Sequence, residues 1–199
     1  LSYIYDHLTN VRVIVTGSEV GVLHDFLKLK DYDSPLYGRA VQQIAIKPFN
    51  FEQSVEFLQT GFREIREEID FDVSEIVEKI DGIPGYLTLF GVKYLETRNK
   101  EMALKEVYSL MEGLFKKEMN ELEKRSSRYT IILKLVAQGI NTWTMLKNHF
   151  LAKGDMISDS RLFELLTTLE KMSLIEKTQS GYRILDPVFE RILKGQSTL

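Results

Sequence analysis

The chain contains no cysteine. Disulfides and thiolate metal sites are therefore excluded, and a reducing compartment such as the cytoplasm is the simplest expectation. Histidine is nearly as scarce: His7, His24 and His149 lie far apart in the sequence, so a clustered imidazole metal centre is not expected. No apolar run approaches the roughly 20 residues needed to cross a bilayer, and no membrane partner is expected. The opening LSYIYDHLTN lacks both a basic segment and a small-residue cleavage site, which excludes a secretory signal. It starts without Met, in what reads as the middle of a helix, which predicts a natural protein that extends upstream. Internal repeats and low-complexity stretches are also missing.

What is present is enough apolar content, 44% of 199 residues, to build packed cores, and one or two domains are expected from the length. Charge is unevenly spread. Residues 1–125 hold 16 cationic and 22 acidic side chains, whereas residues 126–199 hold 10 and 7. The change of sign points to two modules with different surroundings.

Three rhythms follow one another along the chain. Residues 1–8 carry Leu1, Ile4, Tyr5 and Leu8 on one helical face. Residues 11–16 (VRVIVT) form a short, β-branched, nearly continuous apolar run, the pattern of a strand buried on both faces of a parallel sheet. A helix is expected over 20–29 and a second short strand over 43–46, stopped by Pro48. From Asn50 the pattern turns helical. Asn50 with Gln53, and Asp72 with Glu75, are expected helix caps with capping-box partners. Gly82 should close the second helix as a left-handed residue and Pro84 should open the third. The longest helix, 101–125, should present Ala103, Val107, Leu110, Leu114 and Leu122 as an apolar stripe widened by Leu104, Met111 and Phe115. Glu101–Lys105, Glu112–Lys116 and Glu121–Arg125 should pair along it. Three further helices, 126–138, 142–152 and 158–172, precede a hairpin of strands 174–177 and 182–185. In the third, Leu162, Phe163, Leu165, Leu166 and Leu169 should face inward, and Trp143 and Phe150 should do so in the second. That order is a winged helix-turn-helix.

Candidate chemistry is thin when each motif stands alone. Thr16 and Ser18 end the first strand, where ligands sit in open α/β sheets, and a hydroxyl there can meet a phosphate. Gly and Ser are also ordinary turn residues. Arg39, after Gly38, carries a planar fork suited to phosphate oxygens, or is a solvated surface cation. Gly82 and Pro84, in DGIPGYL, are explained by helix capping alone.

The order of these motifs says more than any one of them. TGS after a strand, LYGR, a strand ending in KPF, then EF-L-x-x-GF, GIPGYL, and a winged helix ending YRILDPVFERIL together resemble the archaeal ATPase family, of the STAND/AAA+ branch of P-loop NTPases. The resemblance runs from about Val11 to Leu193. It implies a mixed α/β, mainly α fold: the tail of a parallel α/β P-loop core over 1–48, a helical lid over 49–125, and a C-terminal winged helix-turn-helix over 126–199. It implies that Thr16 and Ser18 sense a γ-phosphate and that Arg39 faces a phosphate, in its own subunit or a neighbour's. It also implies that Gly82 and Pro84 lie near the adenine; Asp186-Pro187 matches a terminal motif with no role beyond structure. ATP and Mg²⁺ are the implied ligands of the full-length parent.

The departure from the family is large. None of the twelve glycines is followed by Lys, so the G-x-x-x-x-G-K-[ST] loop is missing, as is an apolar strand ending in the acidic pair that holds Mg²⁺. Without that loop nothing cradles the β- and γ-phosphates. This chain alone is expected to bind ATP weakly and not to hydrolyse it. Two functions stay open. One is an ATP-driven switch whose γ-phosphate state moves a winged helix. The other is a non-catalytic module that binds DNA or a protein through that winged helix. For DNA, Asp159, Glu164 and Glu170 outweigh Arg161 and Lys171 on the third helix, leaving Lys177 and Arg183 on the wing as the candidate phosphate contacts. Assembly into an oligomer is compatible with either function.

Overall fold

The computed structural model describes residues 1–17, 20–29 and 31–195. Its architecture is mainly helical, with one two-stranded sheet among the described residues. Two compact units are formed, each from two stretches of chain: residues 1–45 with 142–183, and residues 46–141 with 184–199.

The second unit is a helical layer. Helices α3 (Phe51–Glu64), α4 (Val73–Ile80), α5 (Pro84–Thr97), α6 (Lys100–Arg125), α7 (Ser127–Ala137) and α10 (Pro187–Leu193) build it. Local chemistry accounts for where these helices begin. Asn50 and Gln53 form a complete capping box, worth roughly 1 kcal/mol. Asp72 caps α4 through Ser74 N–H, while Pro84 occupies the first turn of α5. The core joins Leu58, Phe62, Ile76, Ile80, Leu87, Phe90, Leu104 and Val107 with Val188 from the far end of the chain. Around it Phe62, Phe71, Phe90 and Tyr94 meet mostly edge to face, the geometry that ring quadrupoles favour.

Several expectations for this unit are corrected. Glu75 binds Lys100 instead of closing a capping box on Asp72, and no ion pair joins Glu101 to Lys105 among the described residues. The buried stripe of α6 runs through Ala103, Leu104, Val107, Tyr108 and Met111, and Leu110 and Leu114 face solvent. Two apolar rows fit the same helix, and its packing on α5 chooses the one that includes Tyr108. Glu121 pairs with Lys124 rather than Arg125, although Glu112–Lys116 forms as expected. At the α4–α5 corner the left-handed residue is Asp81, at φ 59°, not Gly82. Glycine is needed at 82 for a different reason: a Cβ there would lie 1.9 Å from the Phe49 carbonyl oxygen.

The first unit holds α1 (Ser2–His7), α2 (Val20–Leu27), α8 (Trp143–Ala152), α9 (Asp159–Lys171) and the hairpin β1 (Ile175–Thr178) and β2 (Gly181–Ile184), whose last residue belongs to the helical layer. Helix α2 crosses α9 so closely that a Cβ on Gly21 would come within 2.5 Å of Lys171 Cα, and Lys171 Nζ binds Asp25 Oδ2 at 2.6 Å. Helices α7, α8 and α9 followed by β1–β2 reproduce the expected winged-helix order. Phe150 and four of the five expected α9 residues are buried, but Phe163 is exposed and Trp143 half-buried.

The expected strands over 11–16 and 43–46 are not formed. Residues 11–17 and 39–50 are neither helix nor strand, and Ile14 and Ile46 stand 87% and 93% exposed. A β-strand is completed by ladder hydrogen bonds to a neighbour. Among the described residues no strand lies beside either segment.

Candidate functional site

The residues singled out by sequence fall into both units. In the first unit Thr16 is exposed beyond the apolar run. Ser18 lies outside the described residues. Arg39 is half-buried and gripped: its Nε and Nη2 meet Asp6 Oδ1 and Oδ2 at 3.0 and 2.5 Å. This is the two-pronged guanidinium–carboxylate fit. The guanidinium also lies over the Tyr5 ring at 5.7 Å, a cation–π contact, and Tyr5 Oη accepts the Ala40 N–H. The hydrogen bond with Arg39 is the main cause holding Asp6 below the usual carboxylate range, and it raises Arg39 in turn. Both side chains stay partly open to solvent, so the pair positions more than it stabilises. Its chemical consequence is definite: the fork of Arg39 is occupied, and a phosphate would have to displace Asp6 to reach it.

On the hairpin, Arg183 pairs with Glu176 across the strands, while no ion pair holds Lys177 among the described residues. On and beside α9, Arg161 pairs with Glu164, Lys171 with Asp25, and Lys147 with Asp159. Most cations of this face are thus neutralised by neighbours, which leaves little for a nucleic-acid backbone.

In the second unit Gly82 and Pro84 sit together at the α4–α5 corner. Gly82 is buried and its carbonyl accepts the Phe49 N–H at 2.8 Å. Its own N–H donates to Asp81 Oδ1 at 2.6 Å. The corner is braced from the C-terminal end of the chain. Tyr86 Oη donates to Asp186, and the other oxygen of Asp186 caps α10 by accepting Val188 and Phe189 N–H at 2.9 and 3.0 Å. Arg191 donates to the carbonyls of Lys79 and Glu78 at 2.5 and 2.6 Å. Burial raises the Tyr86 hydroxyl far above its ordinary value, so the proton stays on the phenol. Burial also raises Asp186, against the pull of its three donors.

Sequence reasoning missed Asp6, Tyr86 and Arg191 as partners. They lie 33, 100 and 112 residues from the groups they bind, and no local pattern announces such pairings. A signal did exist for α10: Asp186-Pro187 is a capping residue followed by a first-turn proline. No group of metal-ligating side chains occurs among the described residues, and none of their helices is long and apolar enough to cross a membrane.

Residues 1–90 match an ATPase domain predominantly from Archaea. Residues 123–185 match the C-terminal winged helix-turn-helix domain of MCM proteins. The chain is 30% identical over 145 residues to an uncharacterized protein of Methanocaldococcus jannaschii, covering 71% of this chain and 30% of that protein. It also resembles the structure of a Walker-type ATPase of Pyrococcus abyssi, with 44% identity and a TM-score of 0.89 over 97% of this chain and 55% of that one. The chain therefore spans about a third to a half of the length of these relatives. The similarity supports a relationship to archaeal ATPases.

Proposed function

We propose that this chain is the back portion of an archaeal-type ATPase that acts as an ATP-driven switch. The likeness to a Walker-type ATPase along 97% of the chain carries the reading. In this reading residues 1–48 contribute to a nucleotide-binding core, 49–125 form a helical lid and 126–199 a winged-helix domain. The exposed apolar side chains of residues 11–16 and 43–46 support it, because such runs are stable beside other strands and costly in water. Thr16 and Ser18 read the γ-phosphate, joined by Arg39 once the phosphate displaces Asp6 from its fork, and Gly82 and Pro84 lie by the adenine. The parent protein takes ATP with Mg²⁺. This chain by itself does not turn ATP over, since it has no glycine-rich loop with its lysine. The nucleotide state is passed to the winged helix, whose self-paired cations favour a protein partner over DNA.

The decisive experiment is calorimetry of ATP with Mg²⁺ on this chain and on a form extended upstream to a natural start. Tight binding by the extended form alone is expected; no binding by either would leave a non-catalytic interaction module. In the extended form, Arg39→Ala should lower ATP turnover by about 10³-fold if the residue meets the transferring phosphate, with an unchanged circular dichroism spectrum. Turnover at the wild-type rate would remove Arg39 from the site.

A further inference from the structure

The last described helix and its cap residue return over 100 residues or more to grip the corner between α4 and α5. They do so from both sides. Before the corner, the Arg191 fork occupies two carbonyls at the C-terminus of α4. These groups have no intrahelical partner and carry the negative end of the helix dipole. Tyr108 Oη donates to one of them at 2.5 Å and accepts from Arg191 at 3.2 Å. After the corner, Asp186 accepts from Tyr86 in the first turn of α5. The helix that carries both grips is itself fixed. Val188 and Phe189 are fully buried, and Phe189 stacks on Phe115 with centroids 4.4 Å apart.

What lies between the two grips is backbone that would not hold its shape unaided. Asp81 has φ 59° without being glycine, a conformation that persists only where its surroundings over-determine it. Gly82 has no room for a side chain. Arg191 and Asp186 hold the two sides of this corner, Asp186 with the carboxylate oxygen that its α10 cap leaves over. We propose that Asp186 and Arg191 are positioning residues for nucleotide: they set the Gly82–Pro84 corner against the adenine while touching no nucleotide themselves. This rests on the reading that Gly82 and Pro84 lie by the base.

The test uses the form extended upstream, with ATP and inorganic tripolyphosphate as separate probes. Tyr86→Phe and Asp186→Asn preserve shape and remove one bond or one charge; Arg191→Lys keeps the charge and removes the fork. Each should weaken ATP by about fivefold, the scale of one hydrogen bond, and leave tripolyphosphate binding unchanged, because the corner serves the base and not the phosphates. Arg191→Ala should weaken ATP further, with partial rescue by Arg191→Lys. A lowered melting temperature with unchanged ATP affinity would make the grips purely structural and overturn the proposal. Equal weakening of both probes would overturn it as well. Failure of the unsubstituted extended form to bind ATP would instead sink the ATPase reading, and the positioning role with it.

Discussion

The helical layer and the amino-terminal segments obey different rules although one chain encodes both. In the layer, each helix start is decided by a few neighbouring residues: Asn50 with Gln53, Asp72, and Pro84. Those signals act within one turn, and tertiary packing then buries the apolar face they expose. Residues 11–16 and 43–46 carry an equally clear pattern and remain irregular, with Ile14 and Ile46 in solvent. A helix satisfies its backbone from within, whereas a strand needs a neighbour. Local pattern therefore places the start of α4, which packing then stabilises, whereas a parallel strand does not form at all without its neighbour.

Substitutions in the layer and in the irregular segments should differ widely in cost. The largest effect is expected for Phe90→Ala, which empties a fully buried ring position in the layer and should cost about 4 kcal/mol in urea unfolding. Gly82→Ala should follow at about 3 kcal/mol, since its methyl group meets the Phe49 carbonyl; a neutral result would mean that the corner is slack. Two capping carboxylates should then separate by pH. Asp72 is held below its ordinary range, chiefly by the Ser74 N–H. Its contribution is present above about pH 3.9 and is lost as pH falls through the lower folded value. Asp186 is raised by burial, so stability should decline as pH climbs from about 3.9 through the higher folded value. Urea midpoints measured across that range should lose the acid-side fall in Asp72→Asn and the opposite slope in Asp186→Asn. Least of all, Ile14→Ser should change stability by less than about 0.5 kcal/mol, as an exposed side chain should. A cost near that of Phe90→Ala would show that the segment is packed in solution and would erase the distinction.

How much was legible follows from the same distinction. The caps of α3 and α4, the proline of α5, the stops at Gly139 and Gly154, both with positive φ, and the helix–helix–helix–hairpin order could all be read locally. The phase of α6 could not, because Leu110 and Leu114 compete with Tyr108 for the buried side and only the neighbouring helix decides. Phe163 fits the apolar face of α9 by spacing and is 63% exposed. For the candidate site, residue types could be read but partners could not. Arg39 could be chosen for its fork, while Asp6 as its occupant required the folded chain. Asp186 was visible only as part of a motif, and its bond to Tyr86 joins groups 100 residues apart.

The return of α10 also changes how the chain can be cut. Because α7 and α10 pack on each other within the layer, the stretch from Thr142 to Arg183 leaves and re-enters the layer through adjacent helices. The two junctions of that stretch, at residues 141 and 184, are thus held by helices that pack together, and inserted chain is tolerated where its ends lie close together. A cut at Ser126 would instead take α7 and α10 away from the layer, and with them the buried Val188 and Phe189 and both grips on the corner.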